Sequence, residues 1–335
     1  MLRILKVGLE IVVGAIAIVA ALLGWFVYSP DPEVPVLSGD FTRGSIDVGG
    51  LTRTYRLYVP HALPKQAPLV MVLHGSGENG AQIRMETGYG FDRLADQHGF
   101  AVAYPDAASF DWNDCSRVGD FVANGREADD VGFLLALVDQ LAAERDLGRD
   151  HVFATGVSAG GFMVLRLALE APSRFRAVAA VSANVPAPDH FKCRPIPGTS
   201  VLLMNGTKDP LVPYGGGEVN LLGLFYKTGN VISSPESGRY FAELDRIAGA
   251  GQASRIQGEV EQRLWRGDTG IEVALVTIVG GGHGMPQAAW RRPRLLGPSP
   301  MAPDGPALIW DFFERQRRRG DEPINSVGPL SPHPP

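Results

Sequence analysis

Thr155-Gly156-Val157-Ser158-Ala159-Gly160-Gly161 follows the apolar run His151-Val152-Phe153-Ala154 and precedes a helical pattern from Phe162 to Glu170. That order reads as a strand, a sharp turn and a helix. The spacing Gly156-x-Ser158-x-Gly160 has a steric cause: a turn tight enough to lift a serine Oγ out of a sheet leaves no room for side chains two residues away. Gly/Ser patterns of this length also arise by chance in a chain with 41 glycines. The flanking strand and helix supply the context the motif requires, so Ser158 is expected to be a nucleophile.

Outward from this turn, strands and helices alternate. Thr42 to Val48 and Leu51 to Val59 are alternating runs around Gly49-Gly50, a dipeptide suited to a tight hairpin. Leu69-Val70-Met71-Val72-Leu73 is continuously apolar, as in a strand buried on both faces, and runs into His74-Gly75-Ser76-Gly77. Phe91 to His98, stopped by Gly99, reads as a helix, and Ala101 to Tyr104 as a strand. Pro105 to Ala128 has no period, and its length marks a functional loop. Asp129-Asp130 caps a helix to about Arg145 in which Val131, Leu134, Leu135 and Val138 share a face, and both carboxylates are read as structural. Ala177 to Ser182, Ser200 to Met204 and Ile271 to Val279 are further strands, Ser234-Pro235 opens a helix as cap and first residue, and Ala307 to Arg318 is a final helix. These alternations predict one α/β domain over 42–319, with a mostly parallel sheet, an N-terminal antiparallel hairpin and helices on both faces.

The ends are different. Arg3 and Lys6 precede an uncharged run from Ile11 to Tyr28 that is long enough to cross a bilayer. It stays bulky and ends in interfacial aromatics, which favours an uncleaved membrane anchor over residues 1–28 rather than a cleaved signal. The positive flank should keep the N-terminus cytoplasmic, so the remainder is expected to be exported, membrane-anchored, or released to the periplasm or exterior if the segment is cut. Residues 29–41, with Pro30, Pro32 and Pro35, read as a stiff linker, and 320–335 as a disordered Pro-rich tail. Net charge is −5 with both signs interspersed. No basic face or recognition motif suggests nucleic acid, and the run Arg315, Arg317, Arg318, Arg319 reads as a solvated helix end. No G-x-G-x-x-G or Walker loop implies a nucleotide, and no ligand spacing implies a metal, so no cofactor is expected. The two cysteines, Cys115 and Cys193, are read either as one disulfide of an exported chain or as two separate thiols.

In open parallel sheets ligands gather beyond the C-terminal strand ends. Asn205-Gly206-Thr207-Lys208-Asp209-Pro210 and Gly282-His283-Gly284 each follow a strand there. A serine nucleophile needs a base, and the base needs a carboxylate, so His283 and Asp209 join Ser158 as candidates. His74 is the rival base, set aside on chain order. Its loop fits better as the source of oxyanion donors: Ser76 N–H, with Gly77 close behind, and Ala159 N–H just after the nucleophile. Trp112 is a candidate for the pocket wall.

The order Ser158, Asp209, His283 is that of α/β-hydrolases. With Leu73-His74-Gly75-Ser76-Gly77, Tyr104-Pro105-Asp106, Trp112-Asn113-Asp114, Asp129-Asp130-Val131-Gly132-Phe133-Leu134, the Ser158 turn, Asn205 to Tyr214 and Gly280-Gly281-Gly282-His283, the chain resembles the polyhydroxybutyrate depolymerase-like esterases, relatives of feruloyl and acetyl xylan esterases. The resemblance spans roughly Ser45 to Phe313 and implies a secreted serine ester hydrolase acting on small-molecule or oligomeric esters, with those three residues as nucleophile, acid and base. Members commonly carry Trp-Pro after the histidine. Here Met285-Pro286 stands instead, which removes a stacking surface and makes Met285 a pocket candidate; the stretch 215–229 also diverges and is a candidate for shaping the pocket. Two other readings stand beside an esterase: a peptidase on the same scaffold, and an anchored binding protein that keeps the fold without turnover.

Overall fold

Two strands joined at Gly49-Gly50, β1 (Asp40–Val48) and β2 (Leu51–Val59), pair antiparallel from Asp40↔Val59 to Val48↔Leu51. Both turn glycines have positive φ, 60° and 78°, which a two-residue hairpin of this kind needs. The structure is a computed structural model and describes residues 2–109, 111–116, 128–220 and 229–318. The Pro-rich tail, Arg319 and parts of the stretches 105–128 and 215–229 lie outside the described residues.

After β2 the chain runs through β3 (Ala67–Leu73), α2 (Gly80–Glu86), α3 (Gly90–His98), β4 (Ala101–Pro105), α4 (Asp130–Arg145), β5 (Leu147–Val157), α5 (Ala159–Glu170), β6 (Ala177–Val181) and β7 (Ser200–Gly206). A two-stranded ribbon, β8 (Gly217–Glu218) with β9 (Asn230–Val231), comes next. Then follow α6 (Ser234–Leu244), β10 (Gln252–Gln257), β11 (Val260–Arg266), β12 (Glu272–Ile278) and α7 (Gly305–Arg317); α1 (Leu2–Val27) precedes them all. The main sheet has ten strands in the order β1-β2-β4-β3-β5-β6-β7-β12-β11-β10. Its six central strands are parallel, and an antiparallel pair flanks them on each side.

The second flank departs from the sequence expectation of a single hairpin. β10 is a mostly polar, exposed edge strand, so its segment carries little of the alternation that marks a half-buried strand. α2 was also not expected, being one short helix capped by the Asn79 side chain on the N–H groups of Ala81 and Gln82.

Burial follows the period of two. Leu69, Met71 and Leu73 face the layer containing α4, α5 and α6, while Val70 and Val72 face the layer containing α2, α3 and α7. All five are fully buried because helices cover both faces, which explains why the run has no polar positions. In α4 the buried residues are Phe133, Leu134, Leu137, Val138, Leu141 and Ala142, while Val131 and Leu135 are only half-buried. The expected face was therefore rotated. This helix has apolar residues almost all round, and its phase is set by a buried pair: Asp130 Oδ1 takes Arg53 Nη2 at 2.6 Å, and the guanidinium lies 4.0 Å from the Phe133 ring centroid. Asp129 caps the helix on Gly132 N–H.

α6 begins one residue earlier than the sequence suggested. Ser233 is the cap, in a reciprocal box with Glu236, and Pro235 is the second helical residue rather than the first. Arg315 is likewise not a solvated end residue, since it pairs with Glu272; Arg317 and Arg318 pair with Glu314.

The span Lys6–Val27 of α1 has mean hydropathy 2.5 and none of its described side chains is buried, so this helix is long and apolar enough to cross a membrane. Its C-terminal end meets the domain at Arg294, whose Nη1 donates to Trp25 O at 3.0 Å and whose guanidinium lies 3.7 Å from the indole centroid. Cys115 and Cys193 form a disulfide between the loop after β4 and the segment after β6, with Cα atoms 5.1 Å apart.

Candidate active site

β5 ends at Val157 and α5 starts at Ala159, which leaves Ser158 alone in the turn with φ 57° and ψ −121°. Positive φ is strained for a residue with a Cβ, and here the surroundings impose it. A Cβ on Gly156 would lie 2.4 Å from Gly160 C, and one on Gly160 would lie 2.3 Å from Leu73 O, so strand β3, the turn and α5 touch backbone to backbone. Ser158 N–H is tied to Val181 O at 2.9 Å, and its side chain is left half-buried at the sheet edge. Among the described residues its Oγ makes no hydrogen bond, including none to His283. Such contacts are often long before substrate binds.

Asp209 follows β7. Its Oδ1 accepts the N–H groups of Leu211 and Val212, both at 2.9 Å, and its Oδ2 lies 2.9 Å from His283 Nδ1. The histidine and aspartate side chains are 2 % and 1 % exposed, so water does not compete for this contact. Burial raises the carboxyl pKa, but the charge and hydrogen bond of His283, with the two backbone donors, outweigh it and hold Asp209 below the usual carboxylate range.

His283 must reach back over two strands, because β12 is separated from β5 by β7 and β6. Three bonds hold the loop in that position: Gly282 N–H to Pro298 O at 2.7 Å, His283 N–H to Leu296 O at 2.8 Å, and Gly284 N–H to Ser182 Oγ at 2.8 Å. Ser182, just past β6, was not singled out in the sequence. Its only signal was its place at a strand end.

The loop after β3 is held by His74. Ala107 N–H lies 3.0 Å from His74 Nε2, and a backbone N–H can only donate, so Nε2 accepts and the proton sits on Nδ1. Nδ1 then donates to Gly75 O at 2.7 Å, where Glu78 N–H also donates at 3.3 Å. In a trans peptide the N–H of the next residue points opposite to that carbonyl, so two donors on Gly75 O aim Ser76 N–H away from them. Among the described residues Ser76 N–H has no acceptor, while Ser76 Oγ donates to Asp111 Oδ2 at 2.9 Å. Burial pushes the His74 pKa down, against its hydrogen bond to Gly75 and the nearby charges of Glu78, Asp106 and Asp130. Gly77, with φ 76°, completes the turn, and Ala159 N–H is at the first position of α5.

Three pocket candidates are enclosed instead. His74 is 1 % exposed, Trp112 5 % and Met285 6 %. Trp112 donates from Nε1 to His74 O at 2.9 Å with the two rings 5.0 Å apart, so it backs the loop from behind. Met285 packs in the layer of α7, where a Cβ on Gly305 would lie 2.5 Å from its Cγ. A cavity of about 680 Å³ lies between α6 and β10–β12, lined by Tyr214, Arg239, Arg263, Trp265 and Thr277 but by none of Ser158, Asp209 or His283. Among the described residues no group of three or more His, Cys, Asp or Glu side chains is placed to hold a metal.

A buried charged cluster stands behind these loops. Arg292 Nη2 lies 2.5 Å from Glu86 Oε2, and Arg292 Nη1 lies 3.9 Å from Glu78 Oε1. Burial pushes the Glu86 carboxyl up to about 8, Arg292 pulling it down and Glu78 adding to the rise. Between the ordinary 4.5 and about 8 the folded chain binds the extra proton, so this group's contribution to stability falls as pH rises through that window. Glu86→Gln should remove that dependence: the variant should melt higher than the parent at pH 8 and nearly with it at pH 5. Parallel melting curves at both pH values would refute this.

The model of the family described as Esterase PHB depolymerase matches residues 53–210. The "Putative esterase NocK" of Nocardia uniformis subsp. tsuyamanensis is 32 % identical over 289 residues, covering 81 % of each chain. The "Probable feruloyl esterase C" of Aspergillus terreus is 27 % identical over 278 residues, 81 % of this chain and 87 % of that one. The "Poly(3-hydroxyalkanoate) depolymerase C" of Paucimonas lemoignei is 30 % identical over 134 residues, 38 % of this chain and 30 % of its own length. Among solved structures, the acetyl xylan esterase from Aspergillus awamori superposes with TM-score 0.50 at 16 % identity, covering 72 % of this chain and 94 % of that one, a likeness of fold. With an α/β-hydrolase sheet and an esterase relative 32 % identical over 81 % of its length, the chain belongs to the PHB depolymerase esterase family and is a serine hydrolase of carboxylic esters.

Proposed function

We propose that the chain cleaves esters through an acyl-enzyme on Ser158, with His283 as general base and Asp209 orienting it. The observation that carries this reading is the buried Asp209–His283 contact of 2.9 Å at the sheet edge where Ser158 stands in its strained turn. With its proton on Nδ1 facing Asp209, the imidazole has a bare Nε2 for the serine proton. Ser158 Oγ adds to the ester carbonyl, and its proton passes to Nε2. The carbonyl oxygen takes up negative charge, stabilised by the N–H groups of Ser76 and Ala159. Collapse breaks the C–O bond to the alcohol, which leaves with the proton from His283. Water then repeats the sequence on the acyl-enzyme and releases the acid.

Soluble short-acyl or oligomeric esters, of the hydroxybutyrate-oligomer, feruloyl or acetyl kind, are the favoured substrates. The relatives' names support that range, and α1 limits it: as a membrane anchor holding the domain outside the cytoplasm, it keeps the enzyme from searching an insoluble particle. Met285 supplies no exposed platform for a polymer surface either. The detergent-solubilised chain should hydrolyse p-nitrophenyl acetate and butyrate with kcat/KM falling as the acyl chain lengthens, and should label with a fluorophosphonate. Faster clearing of a polyhydroxybutyrate suspension than cleavage of dissolved esters would overturn the preference. A chain that hydrolyses neither and takes up no label would overturn the reaction.

A further inference from the structure

The oxyanion loop and the histidine loop lie about 200 residues apart in the sequence, as the partners Glu78 and Arg292 show, and one buried cluster touches both. Glu78 holds Gly75 from two sides: its Oε2 accepts Gly75 N–H at 2.8 Å, and its own N–H donates to Gly75 O at 3.3 Å. A Cβ on Gly75 would stand 3.1 Å from that Oε2, so glycine is what lets the carboxylate settle there. On the other side Arg292 lies against Gly284, the residue after His283. A Cβ on Gly284 would stand 2.4 Å from both Cδ and Nε of Arg292.

Arg292 joins the two sides through Glu78 and Glu86, the three side chains being 8 %, 17 % and 11 % exposed. Apolar residues of similar volume are often as stable as a buried ion pair or more so, so stability alone is a weak reason for three ionisable groups here. None of them has a part in the acyl transfer. What they share is position: Glu78 fixes the peptide that aims Ser76 N–H, and Arg292 backs the glycine that follows His283.

We propose that Arg292, clamped by Glu78 and Glu86, is a positioning residue that sets Ser76 N–H and the His283 imidazole at their working separation. The inference rests on the roles assigned above to Ser76 and His283. The donor and the base must meet one tetrahedral centre, and a misplacement of about 1 Å at a reacting group costs on the order of 10²-fold in rate.

The test compares Arg292→Met, Arg292→Lys, Glu78→Gln and the Glu78→Gln/Arg292→Met pair in the full chain. The readouts are kcat and KM for p-nitrophenyl acetate, inhibition by phenylboronic acid, which forms an anionic tetrahedral adduct on a serine, and folded fraction by circular dichroism. Arg292→Met should lower kcat by about 30- to 100-fold with KM within about threefold, and should weaken boronate inhibition by a similar factor. Arg292→Lys should recover about tenfold of that loss, and the pair should lose little more than Arg292→Met alone. An Arg292→Met protein with kcat within about threefold of the parent, or with a loss that only tracks its folded fraction while boronate binding is unchanged, overturns the proposal.

Should Arg292→Met not fold, Glu78→Gln decides, since its amide oxygen still serves Gly75 N–H: a drop of about tenfold in both kcat and boronate affinity supports the proposal, and unchanged values overturn it. Ser158→Ala, run in parallel, separates the two levels. Activity surviving there brings down the triad and this proposal together. An inactive Ser158→Ala beside a parent-like Arg292→Met brings down only the proposal.

Discussion

Replacing Ser158, Asp209 or His283 with alanine should lower kcat by about 10⁴-fold or more, and the triple replacement should lose little beyond the worst single one. The non-additivity follows from the geometry. In the proposed mechanism Asp209 acts only through His283 Nδ1, 2.9 Å away, and His283 moves every proton that the serine and the water give up, so removing one leaves the others without a task. A residual rate should remain, because Ser76 and Ala159 N–H groups can still receive the oxyanion. Asp209, held below the usual carboxylate range, stays ionised and keeps its acceptor oxygen facing Nδ1. Initial rates of each variant on p-nitrophenyl butyrate decide the matter, and parent-like turnover by Ser158→Ala would remove the serine from the mechanism.

Breaking the Cys115–Cys193 bridge should be the largest single loss of stability short of the core. The cysteines are 78 residues apart, and by the chain-entropy relation a loop of that length contributes about 4.5 kcal/mol by restricting the unfolded chain. The closed segment contains α4, β5, Ser158, α5 and β6, so the bridge encircles the Ser158 turn. Cys115→Ala/Cys193→Ala should therefore melt roughly 10 °C lower. The same residues report location, since such a bond persists in an oxidising compartment. Chains taken from the membrane should show no alkylatable thiol under denaturing conditions unless first reduced. Two free thiols, or equal melting with and without reductant, would overturn the bridge, and with free thiols the extracytoplasmic placement would lose its chemical support.

Legibility in the sequence tracked how many constraints a segment satisfies locally. β3 was evident because burial on both faces removes every polar residue from Leu69 to Leu73. The serine turn was evident because backbone contact at Gly156 and Gly160 excludes side chains. β10 was not, since an exposed edge strand is constrained on neither face. The phase of α4 was hidden for the opposite reason: with apolar residues on nearly every side, only Arg53, brought in from β2, selects the stripe. His74 was weighed as a base, and its tautomer depends on an N–H at Ala107, 33 residues away, that no local pattern reveals. Glu78, Glu86 and Arg292 are ordinary surface residue types in the sequence. Only the approach of the α2 region to the segment after β12 turns them into a buried cluster.

The left-handed backbone at Ser158 has a consequence for how such a protein drifts over generations. A residue with a Cβ at φ 57° costs the fold something that glycine, free to adopt positive φ, would not. Under the proposed mechanism the position most needed for turnover is thus one where a loss-of-function change relaxes the native state. Selection for folding alone favours glycine there, and only continued demand for the reaction keeps the serine. A lineage released from that demand has a short, downhill route to an inactive and sturdier relative with glycine at this position.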